Sequence, residues 1–183
     1  LQDGDTFERV FERWQVKLVL PLLKYGFRNA TIVQVISQYL ATWPEKLGYT
    51  GPVEIIYDGA NPQSIHPDCS REEVQKLRDT FTQNPDDVLL MNTARLVHQK
   101  AADITIKSLL LLPEHVKLVL VGDGIEREKL EALTKKHSLE DRVIFTGNVE
   151  RTVVSTYRFA ADIFVGPSRS EGLGHAFLSA MAC

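Results

Sequence analysis

From residue 87 onward the sequence alternates short, continuously apolar runs with amphipathic ones, and this alternation constrains the fold more than any other feature. The apolar runs are residues 88–92, 116–121, 143–145 and 163–165. A strand that is apolar on consecutive residues is buried on both faces, which is the condition of a parallel sheet covered by helices on either side. The intervening stretches carry the helical period. Residues 101–112 form a helix with apolar positions at Ile104, Ile106, Leu109, Leu110 and Leu112 and stop at Pro113; residues 126–137 place Leu130 and Leu133 inward; residues 151–159 form a third helix. Such crossovers are right-handed. The predicted fold class is α/β, a Rossmann-like parallel sheet, and no internal repeat or low-complexity segment interrupts it.

The first part of the chain is less regular. Residues 1–28 read as a helix that breaks or bends at Pro21. Arg9, Arg13 and Lys17 recur every four residues and share a face; Phe7, Val10, Phe11, Trp14 and Leu18 share another. Two readings stand: a basic amphipathic helix lying on an anionic membrane, or an ordinary surface helix whose basic face Glu8 and Glu12 dilute. Residues 30–36 are β-branched and predict a strand. Ser37 caps a helix running toward Lys46 through Pro44. A second strand, 53–57, ends in the turn Asp58, Gly59, Ala60, Asn61. Residues 62–69 begin a linker, and Ser70 with Glu73 forms a capping box for a helix to about Phe81.

Composition excludes several classes. The chain has 183 residues, 44% hydrophobic and 25% charged, with net charge −3 and no long basic run, so nucleic acid is not an expected partner. Cys69 and Cys183 match no metal or redox spacing, and His66, His115 and His137 show none either; a reducing, cytoplasmic setting and no metal are expected. The opening residues, with Asp3, Asp5 and Glu8, carry no signal-peptide pattern. The apolar run 18–23 is far short of the ~20 residues that span a bilayer.

The chemistry concentrates in residues 166–183, GPSRSEGLGHAFLSAMAC. Gly172 and Gly174 sit where a strand turns into a helix whose apolar face holds Ala176, Phe177, Leu178, Ala180 and Met181. Glycines there admit close backbone approach to a ligand, a helix start favours an anion, and Glu171 adds a carboxylate suited to hydroxyls. A sugar nucleotide carries both phosphate and hydroxyls; the alternative is a routine turn with a solvated glutamate. Gly122 and Gly124 follow a strand, but Arg127 stands at the third glycine position of the dinucleotide fingerprint and the strand is the second of its unit. They are therefore read as a tight turn into the next helix. Arg95 and Lys100 follow the first strand of this half. If the strand order is 3-2-1-4, the reversal lies between the first and fourth strands, where open parallel sheets form their ligand crevice. Arg95 and Lys100 then occupy one lip and residues 168–174 the other. His98 and His175 are read as surface histidines, although His175 at the helix start could meet a phosphate.

The order of these motifs resembles the family 4 glycosyltransferases of the GT-B fold: ARLVHQK at 94–100, KLVLVGDG at 117–124, VIFTG at 143–147, PSRSEGLG at 167–174 and AMAC at 180–183. The earlier VEIIYDGAN at 53–61 is similar to that family's last strand and turn before its inter-domain linker. The resemblance implies that residues 1–66 are the C-terminal part of an acceptor-binding domain, 67–86 a linker, and 87–183 the first half of a donor-binding domain, with the rest of both outside this sequence. It implies a retaining transfer of a sugar from a nucleotide-diphosphate donor to an acceptor hydroxyl, without metal or cofactor. Arg95 and Lys100 match the basic pair that holds the diphosphate, and Glu171 the first of two paired glutamates, which bonds sugar hydroxyls. Around Gly172, Leu173 and Gly174 the amides are expected to meet sugar and phosphate. Ser168 and His175 are expected on the donor side, and Gly147 to Val149 near the nucleobase. Ser179 stands where the family places its second glutamate, on the ribose. Ala101 and Ala94 replace glycines of the family pattern. Two rivals follow: a non-catalytic nucleotide-sugar-binding module, which Ser179 favours, and a doubly wound domain serving protein interaction.

Overall fold

The computed structural model describes residues 5–60 and 70–183. Asn61, His66, Cys69 and the predicted linker start at 62–69 lie outside the described residues. The chain divides into two units. One holds the described residues up to Gly59 together with Ser170–His175; the other holds those from Ala60 to Arg169 together with Ala176–Cys183.

The first unit opens with two helices, α1 (Phe7–Phe11) and α2 (Trp14–Arg28). This corrects the break or bend expected at Pro21. The break falls at Glu12–Arg13, where Arg13 is extended at ψ 133°, while Pro21 lies inside α2 without ending it. Arg9 and Arg13 both turn back to the Asp5 carboxylate, at 3.5 and 3.0 Å. The short α1 thereby stacks Phe7 and Phe11 on the edge of the buried Trp43, at ring separations of 5.5 and 5.8 Å. The common apolar face expected for Phe7 to Leu18 is split in consequence: Phe7, Val10 and Phe11 join the core, whereas Trp14 and Leu18 are 69% and 72% exposed.

Strands β1 (Val33–Val35) and β2 (Val53–Ile55) pair in parallel. Ser37 accepts the Leu40 N–H at 3.3 Å, as its capping role requires. The helix that follows is interrupted, giving α3 (Gln38–Ala41) and α4 (Trp43–Lys46), with Pro44 in the first turn of α4, where its missing N–H costs nothing. Val33, Val35, Leu40, Trp43 and Leu47 close this core, and Leu173 packs against it.

The second unit carries the expected alternation. After α5 (Arg71–Asp79), whose capping box between Ser70 and Glu73 is complete, come β3 (Val88–Thr93), α6 (Ala102–Ser108), β4 (Val116–Val121), α7 (Arg127–Lys136), β5 (Val143–Gly147), α8 (Val154–Ala160), β6 (Ile163–Phe164) and α9 (His175–Met181). The four strands form one parallel sheet in the order β5-β4-β3-β6. This is the conditional order 3-2-1-4 of the sequence reading, with the reversal at β3–β6. Successive side chains of β3 and β4 point to opposite faces, so each strand feeds two cores. Leu90, Leu118 and Leu120 meet α6 and α7 residues such as Ile106 and Leu130 on one face. On the other, Leu89, Met91, Val119 and Val121 meet Phe81 and Tyr157.

Helix α6 is shorter than the predicted 101–112, and residues 109–111 tighten into a 3₁₀ turn. Of the five apolar positions only Ile106 and Leu109 are buried; Ile104, Leu110 and Leu112 are exposed. Four successive leucines cannot share one face of a helix of 3.6 residues per turn. Met181 of the expected α9 face is likewise 76% exposed.

Asp87, buried just before β3, accepts the backbone N–H groups of Gln83 (2.8 Å) and Asn84 (3.1 Å), and these bonds hold its carboxyl below the usual aspartate range. A depressed folded-state pKa stabilises the fold above the unfolded value and is lost as pH falls through the folded one. Asp87→Asn is expected to lower the melting temperature at pH 7. The gap to the unmodified protein is expected to narrow as the pH is taken below about 4. A thermal-melt series over pH 2–7 reads this, and equal melting temperatures at pH 7 would contradict the role.

Candidate functional site

In the second unit the site is built around the segment that leaves β3. Leu96 is buried at 1% exposure among Leu90, Ala102 and Leu120. Its N–H donates to the Asp123 carbonyl at 2.9 Å and its carbonyl accepts the Glu126 N–H at 3.0 Å. One buried side chain of this size contributes about 1.5–3 kcal/mol, and the two backbone bonds remove the rotational freedom left to it. With Leu96 pinned inward, its neighbour Arg95 is turned out to solvent. Residues 98–100 then form a 3₁₀ turn that carries Lys100, half-buried, to a left-handed Ala101 at φ 55°, ψ 34°.

The glycines of the β4–α7 turn make this packing possible. A Cβ at Gly122 would overlap the Ala94 carbonyl oxygen, and one at Gly124 the Leu96 carbonyl oxygen. Gly122 also adopts φ 136°, a conformation that L side chains rarely reach. The tight turn expected from the sequence is therefore also a seat for the segment bearing Arg95. Gly122 donates its N–H to Gly147 O at 2.9 Å, which brings the ends of β4 and β5 together. Asp123 stays within its own turn, accepting the Gly124 N–H (2.7 Å) and Arg127 Nη1 (3.3 Å). Gly147 is buried at the end of β5, followed by the exposed Asn148 and the half-buried Val149.

At the reversal, the buried Asn92 of β3 donates from Nδ2 to the Val165 carbonyl at 2.6 Å, joining the two strands beyond the last paired residue of β6. Arg158 of α8 reaches Thr93 Oγ1 at 3.0 Å, and burial pulls its pKa down from the usual arginine range. Past β6 the chain passes Ser168 and is tied to the Lys100 turn by Arg169. Its N–H donates to Gln99 O at 2.8 Å, Nη1 to His98 O at 2.6 Å and Nη2 to Asp103 Oδ2 at 2.8 Å. Thus Arg95, Lys100, Gly147, Val149 and Ser168 all lie on segments that follow the carboxyl ends of this sheet. Ser179 lies within α9, where its carbonyl accepts the Cys183 thiol at 3.2 Å.

Glu171 to His175 belong to the first unit. Glu171 is half-buried, Gly172 and Gly174 are buried, and Gly174 takes φ 71°. His175 Nε2 lies 2.8 Å from Asp58 Oδ2. The exposed histidine of the sequence reading thus has a carboxylate partner, and its ring bonds the turn after β2. The sequence carried no sign of this pair, or of the Asn92, Arg158 and Arg169 bonds, because each joins residues at least 65 positions apart. Among the described residues no cluster of three or more His, Cys, Asp or Glu could hold a metal ion.

Residues 73–183 match the family described as glycosyl transferases group 1. The chain belongs to that family. An uncharacterized glycosyltransferase of Methanocaldococcus jannaschii is 31% identical over 132 residues, which cover 71% of this chain and 34% of that protein. The O-antigen biosynthesis glycosyltransferase WclY of Escherichia coli is 32% identical over 121 residues, 66% of this chain and 32% of that protein. The chain therefore spans about a third of the length of these group 1 relatives. Among solved structures, Anabaena HepE in complex with UDP and glucose superposes with a TM-score of 0.79 at 24% identity, over 91% of this chain and 46% of that one. The fold is that of the GT-B glycosyltransferases, α/β with parallel sheets.

Because the Gly124 contact is with backbone, no flexible side chain can yield to a substituent there. Gly124→Ala is expected to cost about 1–3 kcal/mol, the range for overpacking a closed site. Denaturant titration measures it; a cost below a few tenths would mean that the turn and the Arg95 segment are not in tight contact.

Proposed function

We propose that this chain is part of a retaining family 4 glycosyltransferase that moves a hexosyl group from a nucleotide-diphosphate sugar to an acceptor hydroxyl. The observation that carries the reading is the pair Arg95 and Lys100 on the segment leaving β3, beside the strand reversal, where an open parallel sheet accepts its ligand. Arg95 and Lys100 hold the donor's diphosphate and steady its charge as it departs. Glu171 bonds hydroxyls of the donor sugar, while the amides of Gly172, Leu173 and Gly174 and the side chains of Ser168 and His175 complete the sugar and phosphate contacts. Gly147 and Val149 border the nucleobase, and Ser179 meets the ribose. In this account no metal or cofactor takes part. Relatives that make glycans support a transferase reading, and HepE has been seen with UDP-glucose.

The domain assignment belongs to the same proposal. Residues 1–66 are the tail of an acceptor-binding domain, 67–86 a linker and 87–183 the first half of the donor domain. The chain is then a portion of a longer enzyme and by itself turns over nothing. The enzyme works in the cytoplasm, in peripheral contact with the inner face of a membrane. Helix α2 supports that placement: Trp14, Leu18, Leu22 and Tyr25 are exposed, Lys17, Lys24 and Arg28 run alongside, and no carboxylate occurs from 14 to 28. No helix among the described residues is long and apolar enough to cross a membrane. Binding of the complete enzyme to vesicles containing phosphatidylglycerol is expected to weaken with salt and with Leu18→Ser plus Leu22→Ser. Equal binding to neutral vesicles, or none, would contradict it.

Ser179 favours a second reading, a nucleotide-sugar-binding module without turnover, because a hydroxyl offers fewer and weaker bonds to ribose than a carboxylate. Titrating the complete enzyme with nucleoside diphosphates and then assaying donor consumption separates the two. Arg95→Ala and Lys100→Ala are each expected to lower turnover about 100- to 1000-fold, the effect of losing one preorganised charge-stabilising contact. Nucleotide binding without donor consumption would support the module. Near-normal turnover in both variants would refute the assigned roles.

A further inference from the structure

We propose that Arg169 is a positioning residue: through its clasp on residues 98–103 it holds the turn that presents Lys100 in the shape the site requires. The inference rests on the function proposed above for Lys100, and on a feature which that function does not explain. Ala101 sits in the left-handed region at φ 55° and ψ 34°. A residue with a Cβ adopts that conformation at a cost, and it persists only where surrounding contacts over-determine it. Arg169 supplies those contacts from both sides of Ala101. Its backbone N–H and Nη1 hold Gln99 O and His98 O on the approach to Ala101, and Nη2 holds the Asp103 carboxylate beyond it.

Two backbone bonds within the turn lead to Ala101. Lys100 N–H donates to Val97 O at 2.9 Å and Ala101 N–H to His98 O at 3.2 Å, and His98 O is the same oxygen that Arg169 Nη1 grips. Arg169 therefore reinforces the acceptor on which the left-handed residue depends. The carboxylate end is equally committed. Asp103 Oδ1 is buried and without a hydrogen-bond partner among the described residues, so the charge of Asp103 is answered chiefly at Oδ2. The hydrogen bond from Arg169 holds the Asp103 carboxyl below the usual range, with Lys107 contributing from a distance. A planar guanidinium presents two separate nitrogens in a rigid fork, Nη1 to the carbonyl and Nη2 to the carboxylate, a geometry that the single nitrogen of an ammonium lacks.

Arg169→Lys tests this in the complete enzyme, because it keeps the positive charge opposite Asp103 and removes the fork. Amide hydrogen exchange at Lys100 and Ala101 is expected to rise at least about 10-fold, as for a locally opened segment, while exchange along β3 stays unchanged. In kinetics, kcat is expected to fall about 10- to 100-fold, the scale of a misplacement near 1 Å, with KM for the acceptor little changed. Adding Ala101→Gly, which removes the conformational cost at 101, is expected to restore much of that kcat. A merely structural role would lower stability without this split and without rescue by a glycine. Unchanged exchange at Lys100 and Ala101 overturns the clasp whether or not the enzyme turns over. Raised exchange with unchanged kcat overturns the positioning role. Absence of donor consumption by the unmodified enzyme counts against the proposed function instead, and leaves the exchange result to decide the clasp.

Discussion

The close seating of Leu96 against the Gly122–Gly124 turn is the constraint on which the second unit's candidate site depends. Two backbone bonds and a buried side chain fix Leu96 at the sheet's carboxyl end. The segment has almost no freedom at that point, so the residues on either side are displayed in a defined way. Arg95 is forced outward by the burial of its neighbour, and Lys100 follows on a turn that starts from a fixed origin. Preorganised charge is useful because it costs no reorganisation when a ligand's charge develops. Glycine at 122 and 124 is the structural condition for this arrangement, since any side chain would strike the carbonyl of Ala94 or Leu96.

The sheet itself was legible in the sequence because its signal is strong and local. The run Leu118–Leu120 is buried on both faces, and the four strands fall where the apolar runs fall, although Ile163 of β6 is exposed. Capping chemistry was legible for the same reason: Ser37 and Ser70 meet partners three residues away. The position of the reversal followed only conditionally, since sequence separation does not determine which strand lies beside which. The coordinates place β6 against β3.

What the sequence did not reveal is tertiary competition. Phe7 to Leu18 has a helical period, yet the ring contacts of Phe7 and Phe11 with Trp43 and the pull of Asp5 on Arg13 divide it into two helices. Leu109 to Leu112 is uniformly apolar, yet only Leu109 finds the core. The clasp of Arg169 on Asp103 and the pairing of His175 with Asp58 join residues 66 and 117 positions apart. Nothing in local spacing announces such pairs. An arginine between two serines reads as a solvated residue until the opposite loop is in place.

The chain belongs to the group 1 glycosyl transferases, and the diphosphate and sugar contacts assigned to its residues are proposals. Ala101 shows a backbone shape natural to glycine maintained by neighbouring bonds. The most direct test of the central claim is a crystal structure of the complete enzyme with a bound nucleoside diphosphate. The account predicts both phosphates within hydrogen-bond distance of the Arg95 guanidinium and the Lys100 ammonium. A diphosphate bound away from these two cations would contradict it.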